Sequence, residues 1–206
     1  MRKPLIAMSV LLLAAAGVVR AEVAAEAIPP EVILQFGPLA VGLIQMQFPN
    51  PPVKVDPSAD KAVGYHVQEA YAVMALPDRS LTAKSVDDAG DKEVPVGVIA
   101  TRALSLQEKD SVVSGDRLAV ADFNGVFKIP LFFLSVKGNG ANRELEVYSK
   151  GGKSILTVPL KKQASDAATP LNVHLSNIDT EKKRLDVTVS LGGAYEGTIN
   201  LGAVDL

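Results

Sequence analysis

The sequence predicts an all-β chain folded as an antiparallel β-sandwich, on three observations. From residue 94 onward, short runs of Val, Ile, Leu, Thr and Phe are each bounded by Gly, Asn, Asp or Pro, as successive strands are. In the last three runs apolar and polar residues alternate, which indicates one buried and one solvated sheet face. No convincing helical pattern alternates with them, so a parallel α/β sheet is disfavoured. We expect immunoglobulin-like or related topology, with a β-barrel as the alternative.

The first element, residues 1–21, is predicted to be a secretory signal peptide. Arg2 and Lys3 precede an apolar run, and the small residues Val19 and Ala21 fit a cleavage site after residue 21. The run is shorter than the roughly 20 residues that a spanning helix needs. We therefore expect a periplasmic or secreted protein without a transmembrane segment after cleavage.

Residues 22–61 are predicted to form an apolar segment followed by a Pro-rich connector. The apolar part, "EVILQFGPLAVGLIQMQF" at residues 31–48, is expected to be a strand of the same fold. Its interruption by Gly37-Pro38 and its glutamines argue against a membrane span. As a strand it would be apolar on both faces, which requires cover from the protein's own core, from a partner chain or from a membrane surface. The candidate partner-binding residues are Leu39, Val41, Leu43, Ile44, Met46 and Phe48.

Residues 62–206 are predicted to form a single sandwich domain. Residues 62–76 fit a strand or a helix, and their Val and Tyr content favours the strand. The other predicted strands cover residues 95–106, 117–123, 126–136, 144–149, 154–160, 171–176, 184–191 and 197–204. Asn124-Gly125 and Gly151-Gly152 are predicted hairpin turns. Pro130 lies in an apolar run and is expected at a strand start, a bulge or an unpaired position.

Composition excludes several classes of function. The chain has 21 basic and 23 acidic residues; without Arg2, Lys3 and Arg20 it has 18 basic residues and a net charge of −5. An acidic surface without a basic cluster disfavours nucleic acid as a partner. The chain contains no Cys and no Trp, so disulfides and thiolate chemistry are excluded, and the immunoglobulin disulfide and core tryptophan are missing. The prediction thus concerns an architecture and not a family.

No complete catalytic motif is present. The chain has only two histidines, His66 and His174, which are distant in sequence and lack neighbouring ligands at the spacing that zinc sites use. "KGGKS" at residues 150–154 lacks the leading glycine of a phosphate-binding loop, "SADK" at 58–61 lacks the companion motifs of penicillin-recognising enzymes, and "GNGANR" at 138–143 lacks a third glycine. We expect a protein that is not an enzyme.

One acidic loop raises the alternative of a metal site. "DDAGDKE" places Asp87, Asp88, Asp91 and Glu93 within a short stretch, and calcium takes six to eight oxygen ligands. The spacing does not match an EF-hand, so a solvated acidic loop is favoured over a calcium site.

The leading functional hypothesis is an exported, non-enzymatic protein that acts by binding or assembly. It would be an envelope complex subunit, an adhesion or carbohydrate-binding module, or a self-associating protein. The first alternative is a carrier of an apolar or lipid-like ligand, enclosed by strands that are apolar on both faces. The second alternative is a hydrolase whose site is not visible in sequence.

Overall fold

The computed structural model describes residues 23–48, 50–150, 153–163 and 169–206. In these ranges the chain forms two antiparallel sheets that pack face to face and do not close into a barrel. The β-sandwich prediction is confirmed, and the barrel alternative is wrong. The predicted signal peptide at residues 1–21 and the predicted turn at Gly151-Gly152 lie outside the described residues.

The described elements follow the chain in the order β1 (Glu26–Ala27), α1 (Pro30–Gln47), β2 (Val63–Val67), β3 (Tyr71–Pro77), α2 (Ser85–Asp88), β4 (Val94–Arg102), β5 (Leu104–Glu108), β6 (Ser111–Val112), β7 (Ala119–Phe123), β8 (Phe127–Lys137), β9 (Glu144–Tyr148), β10 (Ser154–Pro159), β11 (Lys161–Lys162), β12 (Leu171–Asp179), β13 (Arg184–Leu191) and β14 (Tyr195–Ala203).

The first sheet has the strand order β1-β2-β3-β4-β8-β9-β10, with β7 also paired to β8. Leu131 of β8 pairs with both β4 and β7, and Phe133 pairs with both β4 and β9. Strands β7 and β9 therefore lie end to end along the same edge of β8. The second sheet has the order β12-β13-β14-β5-β6, with β11 also paired to β14.

The main core lies between the facing sides of the two sheets. In β12, Leu171, Val173 and Leu175 are buried, while His174 between them is exposed. Strand β13 shows the same alternation. The inner face of the first sheet contributes Phe132 and Leu134, which are fully buried. The two-residue period predicted for the C-terminal strands is thus confirmed.

The prediction of a strand at residues 31–48 is wrong, because this segment forms helix α1. Pro30 is its first residue, a position where the missing N–H of proline costs nothing. The buried residues recur at helical spacing: Ile33, Gly37, Ala40, Val41 and Ile44. An apolar run on all sides fits both a strand and a helix period, so alternation alone did not distinguish them.

Proline inside α1 is accommodated on its solvent side. Pro38 removes the hydrogen bond that the carbonyl of Leu34 would otherwise accept. Both residues are exposed, so water can solvate this carbonyl. The Gly37-Pro38 interruption therefore does not end the helix.

Residues 62–76 are strands, as favoured, but they divide into β2 and β3 around Gln68, which has a φ of 51°. The predicted strand 95–106 likewise divides at Ala103, with a φ of 58°, where the chain passes from the first sheet to the second.

The turn at Asn124-Gly125 is confirmed, since both residues have positive φ values between the paired strands β7 and β8. Pro130 lies inside β8, just beyond the last β4 partner, so it is unpaired on that side, while on the other side it pairs with Val120 of β7.

Candidate functional site: a cleft between helix α1 and the first sheet

Helix α1 crosses the outer face of the first sheet and is attached at both ends. Just before the helix, the N–H of Ile28 donates to the carbonyl of Gly64 in β2 at 2.9 Å. At its end, the amide of Gln47 bonds both backbone groups of Asp122 in β7, at 2.8 Å and 3.0 Å. The Gln47 side chain thus pairs with β7 as a neighbouring strand would.

One flank of the helix is closely packed. Val41 and Ile44 belong to a second hydrophobic cluster that also includes Leu76 and Phe133 on the outer face of the sheet. The segment after the helix covers this flank: a Cβ atom at Gly37 would lie only 2.6 Å from the Cβ of Ala59. The backbones approach here as closely as glycine permits.

The other flank leaves an apolar cleft of about 650 Å³ between the helix and the sheet. Its helix wall contains Val32, Phe36 and Leu39, which are spaced by four and three residues and so lie on one side of the helix. They remain 36%, 54% and 55% exposed. Three large apolar side chains therefore face the cleft without being covered.

The floor of the cleft is formed by outer-face side chains of β3, β4 and β8, two of which are alanines. Ala72 and Ala100 line it together with Met74 and Ile129. Under the packed flank, the corresponding outer positions of β3 and β8 carry the buried Leu76 and Phe133 and leave no such space. Ala72 and Ala100 therefore leave space beneath this flank of the helix that larger side chains would fill.

Two basic residues, Arg102 and Lys128, contribute to the lining of the cleft. Arg102 shares the outer face with Ala100, whereas Lys128 alternates with Ile129 in β8 and directs its side chain to the other face of the sheet. The antiparallel register of β4 and β8 ends at the pair Ala100–Leu131, and both basic residues lie beyond this pair in the same direction. The crossover after β4 fixes the backbone at Arg102, because the Thr101 hydroxyl donates to the carbonyl of Leu104 at 2.5 Å. The cleft thus has an apolar interior, with one arginine, Arg102, at the edge where β4 ends.

The described residues place no carboxylate in ion-pair contact with these two basic groups. No Asp or Glu is among the described residues that line the cleft. In the described part of the chain, neither Arg102 nor Lys128 has a carboxylate within ion-pair distance. An anionic group entering the cleft would meet no repelling carboxylate in its wall.

The four predicted calcium ligands do not converge. Asp87 accepts a hydrogen bond from the Tyr195 hydroxyl at 2.5 Å, and Asp91 accepts one from the amide of Asn139. Asp88 is exposed in α2. Within residues 23–48, 50–150, 153–163 and 169–206, no group of three or more His, Asp or Glu side chains is placed to hold a metal ion. The structure therefore gives the calcium hypothesis no support.

Glu93, the fourth predicted calcium ligand, belongs to a polar cluster with Ser135 and Tyr148 on the outer face of the first sheet. Its carboxylate accepts hydrogen bonds from Ser135 at 2.6 Å and from Tyr148 at 3.1 Å. The Lys137 ammonium lies 3.9 Å from the same carboxylate. Interaction with the Tyr148 hydroxyl, and then with Glu93, raises the pKa of Lys137. This cluster ties β4, β8 and β9 together.

A hydrogen bond between Asp87 of α2 and Tyr195 of β14 connects α2 to the second sheet. The hydrogen bond to Asp87, together with burial, raises the pKa of Tyr195. The guanidinium of Arg143 lies 5.2 Å from the centre of the Tyr195 ring, and this arginine is buried. Its interaction with the ring follows cation–π geometry.

The six predicted partner-binding residues do not share one surface. Val41 and Ile44 are each 1% exposed and belong to the protein's own core. Leu43 and Phe48 are half-buried against it, with Phe48 edge-on to the ring of Phe133 at 5.7 Å. Only two are well exposed: Leu39 lines the cleft, and Met46 is 71% exposed.

The two histidines lie on different sheets. His66 in β2 is 3.8 Å from Glu26 and bonds the carbonyl of Gln68 at 3.0 Å. His174 in β12 contacts the ring of Tyr65 edge-on, with centroids 6.3 Å apart. The two imidazoles are engaged separately and do not form a common site.

No protein-family model, curated protein or solved structure matches this chain. Among the described helices, none has the length and apolar character needed to cross a membrane. The geometry defines a class of protein by itself: a two-sheet β-sandwich in which one helix covers the outer face of a sheet and leaves an apolar cleft beside it.

Proposed function

We propose that this protein is an exported, non-enzymatic binding protein that holds an apolar ligand in the cleft between α1 and the first sheet. The observation that carries the proposal is the cleft itself, with a volume of about 650 Å³. Small-molecule sites typically occupy roughly 300–1,000 Å³ and are lined mainly by apolar side chains with a few polar groups. Export rests on the pattern of residues 1–21 and stays a prediction.

The energetic argument comes from the helix wall. Full burial of a large apolar side chain contributes about 1.5–3 kcal/mol. Val32, Phe36 and Leu39 are 36–55% exposed, so covering them with a ligand would contribute roughly 1 kcal/mol each. A ligand that also contacts Met74 and Ile129 on the floor would gain more. This favours the apolar-ligand carrier over the other forms of binding or assembly that the sequence leaves open.

The helix offers a matched pair of variants to test the proposal. Leu39 lines the cleft and Leu34 does not, yet their side chains are 55% and 53% exposed. We expect Leu39→Ser to weaken binding of the neutral fluorescent dye N-phenyl-1-naphthylamine about three- to tenfold, since it removes part of one wall. Leu34→Ser should leave the dye affinity unchanged.

Dye fluorescence titration of the purified protein measures both affinities. Equal effects of the two substitutions, or no saturable dye binding by the unsubstituted protein, would contradict the proposal. Circular dichroism of each variant controls for folding.

A further inference from the structure

The spacing of the exposed apolar residues of α1 indicates what covers the cleft when no ligand is bound. We infer that two copies of this chain pair through α1, each helix lying along the other and covering the other's cleft, so that self-association and ligand binding exclude each other. The exclusion rests on the proposed function, since it concerns the cleft that holds the ligand. The pairing itself rests on the helix alone.

Five apolar residues form a stripe along α1 with the spacing of a two-stranded coiled coil. They are Val32, Phe36, Leu39, Leu43 and Met46, which follow one another at intervals of four, three, four and three residues. Residues at these intervals lie on one side of a helix and form the contact seam between paired helices. None of the residues that α1 buries against the sheet belongs to this seam. The seam is therefore a second apolar face, additional to the one that holds the helix in place.

The seam leaves a large apolar area open. Val32, Phe36, Leu39 and Met46 are 36%, 54%, 55% and 71% exposed. If a side chain of this size exposes roughly 150–200 Å² when free, the four leave about 300–400 Å² open, which is the size of patch that marks an interaction site. Two seams and the floors of two clefts bring the buried area near the ~1,200 Å² at which specific interfaces begin. We therefore expect a weak dimer, with a dissociation constant of about 10–100 µM.

The charges of α1 favour a second copy of this chain, in antiparallel orientation. Glu31 is the only ionisable residue of the helix. A parallel pair would bring the two Glu31 carboxylates together, whereas an antiparallel pair centred on Leu39 separates them by about 24 Å along the helix axis. The helix dipoles also oppose each other in the antiparallel pair. Gln35 and Gly42, which flank the seam, carry none of the charges by which coiled coils select a different partner.

The outer face of the sheet offers a ledge for the second helix. Met74 and Ala100 form one cross-strand pair beside α1, and Ala72 and Arg102 form the next pair toward the end of the sheet. The two alanines leave space above this ledge, and paired helices lie about 8–10 Å apart. A second α1 packed on the seam would lie over the ledge and fill the space that a ligand would occupy.

Sedimentation velocity over a range of protein concentrations tests the pairing, with two lysine substitutions on the same helix. Met46 lies in the seam but does not line the cleft, and Leu34 lies outside the seam with its side chain 53% exposed. We expect Met46→Lys to weaken the dimer at least about tenfold, because the seam would bury an unpaired ammonium from each copy. Leu34→Lys makes the same change in charge and should leave the dimer unchanged. Circular dichroism of each variant controls for folding.

Single cysteines test the orientation, since the natural chain contains none. A disulfide needs the two Cα atoms within about 7 Å of each other. Leu39→Cys lies at the centre of the antiparallel pair and should form a linked dimer on mild oxidation. Met46→Cys should not link to itself, because its two copies would lie about 21 Å apart. A mixture of Val32→Cys and Met46→Cys should form the mixed dimer.

The linked Leu39→Cys dimer tests the exclusion in a single sample. N-phenyl-1-naphthylamine should bind the oxidised dimer at least about tenfold more weakly than the monomer obtained by reduction with dithiothreitol, because the second helix fills the cleft. In the unsubstituted protein, saturating dye should shift the sedimentation profile toward the monomer.

The outcomes separate the inference from the proposed function. A protein that stays monomeric into the hundreds of micromolar, or a dimer that Met46→Lys and Leu34→Lys weaken equally, would overturn the pairing while the cleft stands as a ligand site. Efficient self-linking of Met46→Cys would overturn the antiparallel arrangement. Equal dye binding by the linked and reduced forms would overturn the exclusion and leave the proposed function intact. A dimer of the expected geometry that binds no dye in any form would support the pairing and contradict the proposed function.

Discussion

The close approach of α1 to the segment after it predicts opposite effects for the same substitution at two glycines. Gly37 and Gly42 both lie inside the helix, and replacing a helical glycine by alanine normally stabilises a helix by about 1 kcal/mol. A Cβ at Gly42 would have no described atom within 4 Å, whereas a Cβ at Gly37 would lie 2.6 Å from the Cβ of Ala59. The two sites therefore differ in the space available and not in helix propensity.

The magnitudes follow from these distances. Two carbon atoms in contact prefer a separation of about 3.5–4.0 Å, so Gly37→Ala must move the helix or residue 59 by about 1 Å. Overpacking of this kind costs about 1–3 kcal/mol. After the gain in propensity, we expect the Gly37→Ala free energy of unfolding to be about 0–2 kcal/mol lower than that of the unsubstituted protein. For Gly42→Ala we expect an increase of about 0.5–1 kcal/mol.

Urea unfolding followed by circular dichroism measures both free energies. For a chain of this length, 1 kcal/mol corresponds to a change of about 2–4 °C in Tm, so thermal unfolding provides a second measurement. An equal increase in stability for Gly37→Ala and Gly42→Ala would refute the packing of the helix against residue 59. Opposite signs would support it.

Two further predictions concern Ile44 in the core and the hydrogen bond between Tyr195 and Asp87 of α2. Ile44→Ala should lower the free energy of unfolding by about 2–5 kcal/mol, because Ile44 is 1% exposed. Met46→Ala, on the same helix but 71% exposed, should change it by less than about 0.5 kcal/mol; similar values for the two variants in urea unfolding would show that the helix does not pack as described. Hydrogen bonding to Asp87 and burial raise the pKa of Tyr195, so its neutral form is favoured in the folded state. The resulting stability is fully present below the unfolded tyrosine pKa of about 10 and is lost as pH rises through the folded value. Tyr195→Phe should therefore reduce the loss of stability above pH 10, and an unchanged pH profile in urea unfolding would contradict this.

The packed and open flanks of α1 assign the helix to the core on one side and, under the proposed function, to the ligand site on the other. The flank with Val41 and Ile44 belongs to the hydrophobic core, while the flank with Val32, Phe36 and Leu39 faces the cleft. The core flank holds the helix in place, so the open flank does not collapse onto the alanines beneath it. A ligand would thus meet a wall that is already positioned, which lowers the cost of ordering on binding.

The strands were predictable because their signal is local. From Leu171 to Leu175 in β12 and throughout β13, every second residue is buried, and this period of two is visible in any short window of sequence. Asn124-Gly125 likewise indicated its turn, because these residue types tolerate the positive φ values that the turn requires. Where one face of a strand is exposed to solvent, alternation alone determines which residues point toward the core.

The helix and the cleft were not predictable in the same way. Residues 30–47 are apolar enough on all sides to fit either period, and packing against the sheet decided that Ile33, Ala40 and Ile44 would form the buried stripe. Ala100 and Ile129 are separated by the chain that crosses to the second sheet and returns, and the register of β4 and β8 places both in the floor of the cleft. The alanines of the floor carry no sequence signal, since alanine is common in every kind of structure.

The sequence by itself determined the sandwich class, the inward-facing residues of the C-terminal strands and the hairpin at Asn124-Gly125, because these depend on side-chain alternation and on backbone preferences of single residues. Only the tertiary structure decided that the apolar segment is a helix, which of its flanks is core, and where a space is left beside it. A cavity depends on the sizes of residues that are distant in sequence and adjacent in space, and no local pattern contains that information.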